Sequence, residues 1–289
     1  MKQNIPALYL ELLKKTLINE IYIENEMKIF YLVSGLLFET PVDLRYLVRP
    51  EKIPGELPGL IRKSKSDGAS INMIDTEKKR TLESRNFTEF PHSMIGRKRM
   101  DNLQYCVEKI IAEKIPGDLL EAGVWRGGAT IFLRALLAVH GDHKRMVWVA
   151  DSFEGVPPPT LAQDAIDISK KTLPVLAVSL EEVQALFQRY NLLDDQVQFL
   201  KGWFKDTLPK APIKKLALLR ADGDLYESTM DILNNLYAKV SPGGFVIIDD
   251  YNEPNLGCKQ AVNEFRKTHN IRDEMLPIDD MAVFWRKSA

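Results

Sequence analysis

Cysteine and histidine are scarce here, with only two cysteines and four histidines in 289 residues. Cys106 and Cys258 lie far apart and join no Cys-x-x-Cys or Cys/His cluster, which excludes a disulfide scaffold and a zinc finger and leaves two reduced thiols. No apolar run is long enough to span a bilayer. The opening stretch MKQNIPALYLELLKKTLINEIYIE breaks its leucines with lysine and glutamate too often for a secretory leader. The expectation is a cytoplasmic chain with no membrane partner. An excess of one charge sign is missing too. Lys plus Arg number 39 against 40 Asp plus Glu, a net charge of -1, which gives no electrostatic reason to expect nucleic acid. No internal repeat or low-complexity tract is present. A small-molecule substrate is what these absences leave.

What is present divides into two textures. At the N-terminus Leu8, Leu12, Leu13, Leu17 and Ile21 recur at helical spacing and predict one amphipathic helix over residues 6–22, whose stripe needs a partner. Residues 40–90 carry several Pro and Gly and the charged stretches RKSKSDG and DTEKKRTLESRN, which read as irregular structure, either a lid or an ordered coil. Residues 1–90 are therefore expected to form a segment for lid, substrate or dimer contacts, and 91–289 the core. A helix over 97–113 places Met100, Leu103, Val107, Ile110 and Ile111 on one face, and Pro116-Gly117 ends it.

Beyond Gly117 short apolar runs alternate with amphipathic helices. DLLEAGV, MVWVAD, QVQFLKG, LALLRAD and GFVIIDD read as five buried strands. SLEEVQALFQRY opens a helix with a capping box, Ser179 followed by Glu182. DEMLPI and MAVFWRK, separated by Asp279 and Asp280, are too close for a parallel crossover, so they form a hairpin whose last strand enters the sheet antiparallel. The fold class is α/β: a doubly wound, mainly parallel, seven-stranded Rossmann-like sheet with an antiparallel last strand and a helical N-terminal extension. It looks like the class I methyltransferase fold.

Ligands of such a sheet bind beyond the carboxyl ends of the strands, near the point where strand order reverses. The first strand ends in Glu121-Ala-Gly123-Val-Trp125-Arg-Gly127-Gly128. Its spacing is not GxGxxG, which counts against pyrophosphate. A carboxylate just ahead of the first glycine suits the positive sulfonium and amino group of S-adenosylmethionine. The second strand ends in Asp151-Ser152, where an acid can accept from ribose hydroxyls. After the third come Gly202 and Trp203, whose ring could cover a purine face or simply close the core.

The fourth strand ends in Asp222-Gly223-Asp224 and the fifth in Asp249-Asp250-Tyr251. Four carboxylates converging at one sheet edge repel, and neither tripeptide holds a Lys or Arg, so the compensating charge is expected from a bound cation. All-oxygen ligation selects a hard ion such as Mg2+. The other reading is a set of solvated strand-end acids.

The strings LYLELLKKTLINEIY, EAGVWRGG, DSFEG, LKGWFKDTLP, RADGDLYEST and GGFVIIDDY together resemble the macrocin O-methyltransferase family, whose members methylate sugar hydroxyls on macrolide and aminocoumarin natural products. The resemblance implies Mg2+ on Asp222, Asp249 and Asp250, with Asp224 as general base. It also implies S-adenosylmethionine against Glu121, Gly123, Asp151, Ser152, Gly202, Trp203 and Asp222, with the Ser93-Met94-Ile95-Gly96 segment closing over it. Here PHSMIG stands where relatives often carry Thr-Met. The function expected is a Mg2+-dependent O-methyltransferase of glycosylated natural products in secondary metabolism, acting as a homo-oligomer, a dimer being expected. Two rivals remain: a metal-dependent glycosyltransferase, since Asp-x-Asp also chelates nucleotide sugars, and a catalytically silent scaffold that uses the N-terminal helix to dimerise. Of the histidines, His140, His143 and His269 read as helix-end residues, and His92 is the one worth a functional test.

Overall fold

A computed structural model describes residues 4–37, 42–48, 61–63, 72–74 and 91–288. The lid expected in residues 40–90 lies largely outside them. The chain forms two compact units, Met1–Lys98 and Arg99–Ala289.

In the first unit α1 spans Ile5–Leu17, started by the Asn4 side chain, which accepts from the Ala7 amide, and by Pro6 in the first turn. Asn19 takes a left-handed φ of 61° and stops the helix. A short 3-10 turn follows at Glu20–Tyr22, and then α2 at Ile23–Leu37. The single helix expected over residues 6–22 is therefore two elements. Its buried face matches the expected stripe only in part: Leu13 and Leu17 are buried, together with Leu10, while Leu8, Leu12 and Ile21 are exposed. Leucines on more than one face made the phase ambiguous. Arg97 donates to both oxygens of Glu11 at 2.7 and 2.9 Å and lies 3.4 Å from Glu20. The short helix α3, Arg45–Val48, and an antiparallel pair, β1 at Ile61–Lys63 with β2 at Asn72–Ile74, complete the described part.

The second unit begins within α4, Arg97–Ala112, which buries Met100, Leu103, Cys106, Val107 and Ile110 as its periodicity requires. Then β3 (Asp118–Ala122), α5 (Gly128–Val139), β4 (Val147–Asp151), α6 (Leu180–Arg189), β5 (Val197–Lys201) and α7 (Phe204–Thr207) follow. The second half adds β6 (Leu216–Ala221), α8 (Tyr226–Leu236), β7 (Val240–Ile248), α9 (Cys258–Thr268), β8 (Leu276–Pro277) and β9 (Val283–Arg286). The capping box on α6 is formed, Ser179 and Glu182 each accepting from the other's backbone amide. The sheet order is β5-β4-β3-β6-β7-β9-β8, with β3 to β7 parallel and β9 antiparallel to both neighbours.

Strand order reverses between β3 and β6, so the two strands carrying Glu121 and Asp222 are hydrogen-bonded neighbours at the switch point. Every residue of β6 is buried, and Trp285, Phe265, Val262 and Leu233 pack in the same core. Among the described residues no helix is long and apolar enough to cross a membrane.

Candidate active site

Beyond β3 the chain makes its tightest approach at Gly123, where φ is 89° and a Cβ would lie 1.9 Å from the Asp222 carbonyl oxygen. Glycine is required there by the neighbouring strand end. The Asp222 amide donates to the Ala122 carbonyl at 2.8 Å, so the cofactor turn and the acidic turn are joined through their backbones.

Asp151 closes the other side. Its Oδ2 accepts from the Val124 amide and its Oδ1 from the Phe153 amide, both at 2.7 Å. The Gly202 amide donates to the Asp151 carbonyl at 2.9 Å. Asp151 thus braces three strand ends, and burial pushes its carboxyl above the usual range. Ser152 is buried and its hydroxyl donates to the Gly155 carbonyl at 2.7 Å, closing its own turn. Trp203 is half-buried and opens α7. Met94 falls in the first unit, 47% exposed.

Asp222, Gly223 and Asp224 leave strand geometry at once. Asp224 sits at a left-handed φ of 55°, a conformation Asp tolerates better than most residues. That kink turns alternate residues toward one place. One carboxylate oxygen each of Asp222, Asp224 and Asp250 lies within 4.8 Å of the others. Burial and mutual repulsion push all three carboxyls up, Asp250 to about 7. Such a set of hard oxygen donors fits a divalent cation, which would relieve the repulsion.

Asp249 is placed differently. Its Oδ1 accepts from Arg220 Nη2, and its Oδ2 from Arg99 Nη1 at 2.6 Å. These two guanidiniums hold its carboxyl below the ordinary value despite burial. Arg99 Nε also reaches Asp279 at 2.7 Å, and Asp279 in turn receives the Met281 and Ala282 amides at the hairpin turn. Arg220 Nη1 donates to Glu121 Oε1 and, at 2.9 Å, to Asp222 Oδ2. Glu121 is 2% exposed, and its Oε2 has no hydrogen-bond partner among the described residues. A buried acceptor left open at the switch point fits a donor group on a bound ligand. Burial, opposed by Arg220, pushes the Glu121 carboxyl up to about 8.

The expectation that an ion alone would balance these acids is therefore corrected, since Arg220 and Arg99 supply part of the charge from outside the two tripeptides. Neither arginine, nor Asp279, was expected at the site. Arg220 had a visible signal, a lone cation in the otherwise apolar run LALLRA. Arg99 is buried on the face of α4 beside Met100. The histidines fall at the edges: His140 and His269 follow the last turns of α5 and α9, the latter bonded through Nδ1 to the Phe265 carbonyl at 3.0 Å.

Residues 6–287 match the family described as macrocin-O-methyltransferase (TylF). The 8-demethyl-8-(2,3-dimethoxy-alpha-L-rhamnosyl)-tetracenomycin-C 4'-O-methyltransferase of Streptomyces olivaceus is 55% identical over 211 residues, 72% of this chain and 80% of that protein. The mycinamicin III 3''-O-methyltransferase of Micromonospora griseorubida is 52% identical over 203 residues, 68% of this chain and 79% of that protein. A solved structure of the O-methyltransferase NovP is similar at 41% identity and a TM-score of 0.76, with 98% of this chain and 100% of that one covered.

Proposed function

The chain belongs to the macrocin O-methyltransferase family and is an O-methyltransferase, and from that premise we propose that it moves a methyl group from S-adenosylmethionine to a sugar hydroxyl of a glycosylated natural product, with a divalent cation such as Mg2+ at the β6–β7 edge. The observation carrying this reading is the gathering of Asp222, Asp224 and Asp250 beside a buried Glu121 whose second oxygen stands open. Relatives that act on a rhamnosyl tetracenomycin and on a mycinamicin support the acceptor class. The family match leaves the glycosyltransferase and silent-scaffold readings without support.

In this reading Glu121 Oε2 takes a donor of the cofactor, Asp151 orients its ribose from the neighbouring strand end, and Trp203 bounds its purine side. S-adenosylmethionine, when bound, supplies an electrophilic methyl on its sulfonium. Asp222 and Asp250 hold the cation, with Asp249 as the expected third ligand. As placed, Asp249 has both oxygens on arginines, whereas Asp224 already faces the other two acids. A cation there would supply Lewis acidity toward the acceptor's hydroxyl oxygens. Asp224, where it is not a ligand, accepts the proton of the hydroxyl being methylated. What the protein contributes is the alignment of that oxygen with the methyl carbon and a base beside it.

The test is methyl transfer from labelled cofactor to a panel of glycosylated macrolides, aminocoumarins and aromatic polyketides, with and without a chelator. Label on a sugar oxygen, lost on chelation and restored by Mg2+, is expected. Transfer that survives complete removal of metal would overturn the cation's place in the reading.

A further inference from the structure

One guanidinium stands between the two halves of the site. In the β3–β6 register Glu121 is opposite Arg220, so both side chains share one face of the sheet at its switch point. Nη1 is divided between Glu121 Oε1 and Asp222 Oδ2, while Nη2 is held by Asp249. Arg220 is 2% exposed, so no solvent shell stands in for a partner it loses. The planar fork stays charged and presents donors in fixed directions.

We propose that Arg220 is a positioning residue that couples the cofactor place to the cation place, so that a divalent cation at Asp222 and Asp250 strengthens S-adenosylmethionine binding and the cofactor strengthens cation binding by the same factor. This rests on the proposed function above. A cation that draws on Asp222 Oδ2 frees Nη1 to bond Glu121 alone. Glu121 is then held firmly through Oε1, with the unpartnered Oε2 left for the ligand. Because the ligand uses the oxygen that Arg220 does not, clamp and ligand cooperate. Arg99 provides an internal contrast. It fixes Asp249 and Asp279 but has no hydrogen bond to Glu121.

The experiment uses the full chain without acceptor. Mn2+ affinity is read from the paramagnetic resonance signal of the free ion, with and without S-adenosylmethionine, and cofactor affinity is read by calorimetry with and without Mn2+. In the unaltered protein each ligand is expected to tighten the other about five-fold or more, the size ordinarily found for coupled sites. Arg220→Lys keeps the charge but cannot fork across three acids, and is expected to bind both ligands with a factor near one. Arg99→Lys is expected to keep the factor, because Arg99 bonds Asp249 and Asp279 and not Glu121. Should Arg220→Lys not fold, Glu121→Gln is the second variant, expected to remove the coupling while Mn2+ alone still binds. Independent binding in the unaltered protein, or full coupling in Arg220→Lys or Glu121→Gln, overturns the proposal alone. Failure of the unaltered chain to bind either ligand overturns the proposed function as well.

Discussion

Gly123 lies so close against Asp222 that a methyl group on its Cα would fall 1.9 Å from the Asp222 carbonyl oxygen and 2.9 Å from its carbonyl carbon. Both contacts are backbone, which cannot rotate away, and the φ of 89° is one that L side chains rarely adopt. Gly123→Ala is therefore expected to spread β3 from β6 at the switch point. It should cost about 2 kcal/mol or more in stability, combining backbone strain with overpacking, and should weaken cofactor and cation together. Calorimetric binding of both, alongside chemical unfolding, checks this. Loss of one ligand with the other untouched would show that the two turns are not joined here.

The central sheet was legible because its strands are buried on both faces and read as apolar runs ending in Glu121, Asp151, Asp222 and Asp249-Asp250. The antiparallel last strand followed from the short link between β8 and β9. The end and buried face of the N-terminal helix are not legible in the sequence, because leucines occur around more than one face of α1 and the stop at Asn19 depends on a left-handed conformation that Asn adopts only in context. The arginine clamp was hidden for another reason. Arg99 and Asp279 are 180 residues apart in sequence, and only the sheet order brings them together. Arg220 is visible in the sequence but stands outside the two acidic tripeptides it compensates.

The acids at the site set the pH response of the ligand-free protein. Burial holds Glu121 up at about 8, against an ordinary 4.5, and Asp250 up at about 7, against 3.8. The folded chain keeps these protons where the unfolded chain releases them, so both groups remove stability as pH climbs through that interval. Asp249 is shifted the other way, and its contribution disappears only on acidification below the ordinary carboxylate range. With chelator present, Tm is expected to fall between about pH 5 and 8, and added Mg2+ to flatten the slope. Glu121→Gln should remove part of the decline. A Tm that rises across that interval in the chelated protein would contradict the assignment.

A second carboxylate works on structure alone. Asp164, 9% exposed, accepts from the Tyr226 amide at 3.0 Å and from the Gly257 amide at 2.7 Å. Those amides open α8 and α9, the helices that follow the two acidic strand ends. One charged side chain thus caps both helices, where helix dipoles favour a negative charge. Asp164→Ala is expected to cost about 2–3 kcal/mol in urea unfolding, since it leaves donors unmet at two helix starts. A change within about 0.5 kcal/mol, the ordinary size at a surface position, would show that water replaces the cap.

Asp250 separates binding of the cofactor from turnover. Its carboxylate faces Asp222 and Asp224, while Arg220 bonds Glu121, Asp222 and Asp249 and makes no hydrogen bond to Asp250. Asp250→Asn keeps the volume and one acceptor oxygen but removes the charge a cation needs. It is expected to abolish methyl transfer and weaken Mn2+ by about 100-fold, while metal-free cofactor affinity stays within a few fold, because the charge removed is not one Arg220 holds. The neighbours decide the third ligand. If Asp249 is recruited on cation binding, it must leave Arg99 or Arg220, so Arg99→Met should free its Oδ2 and tighten Mn2+, whereas Asp224→Asn should lower turnover with Mn2+ affinity little changed. If Asp224 is the ligand, Asp224→Asn loses the ion and Arg99→Met does not tighten it. Measuring Mn2+ affinity in these two variants separates a base from a ligand at Asp224, and a large loss of cofactor binding in Asp250→Asn would mean that the two halves of the site have been divided in the wrong place.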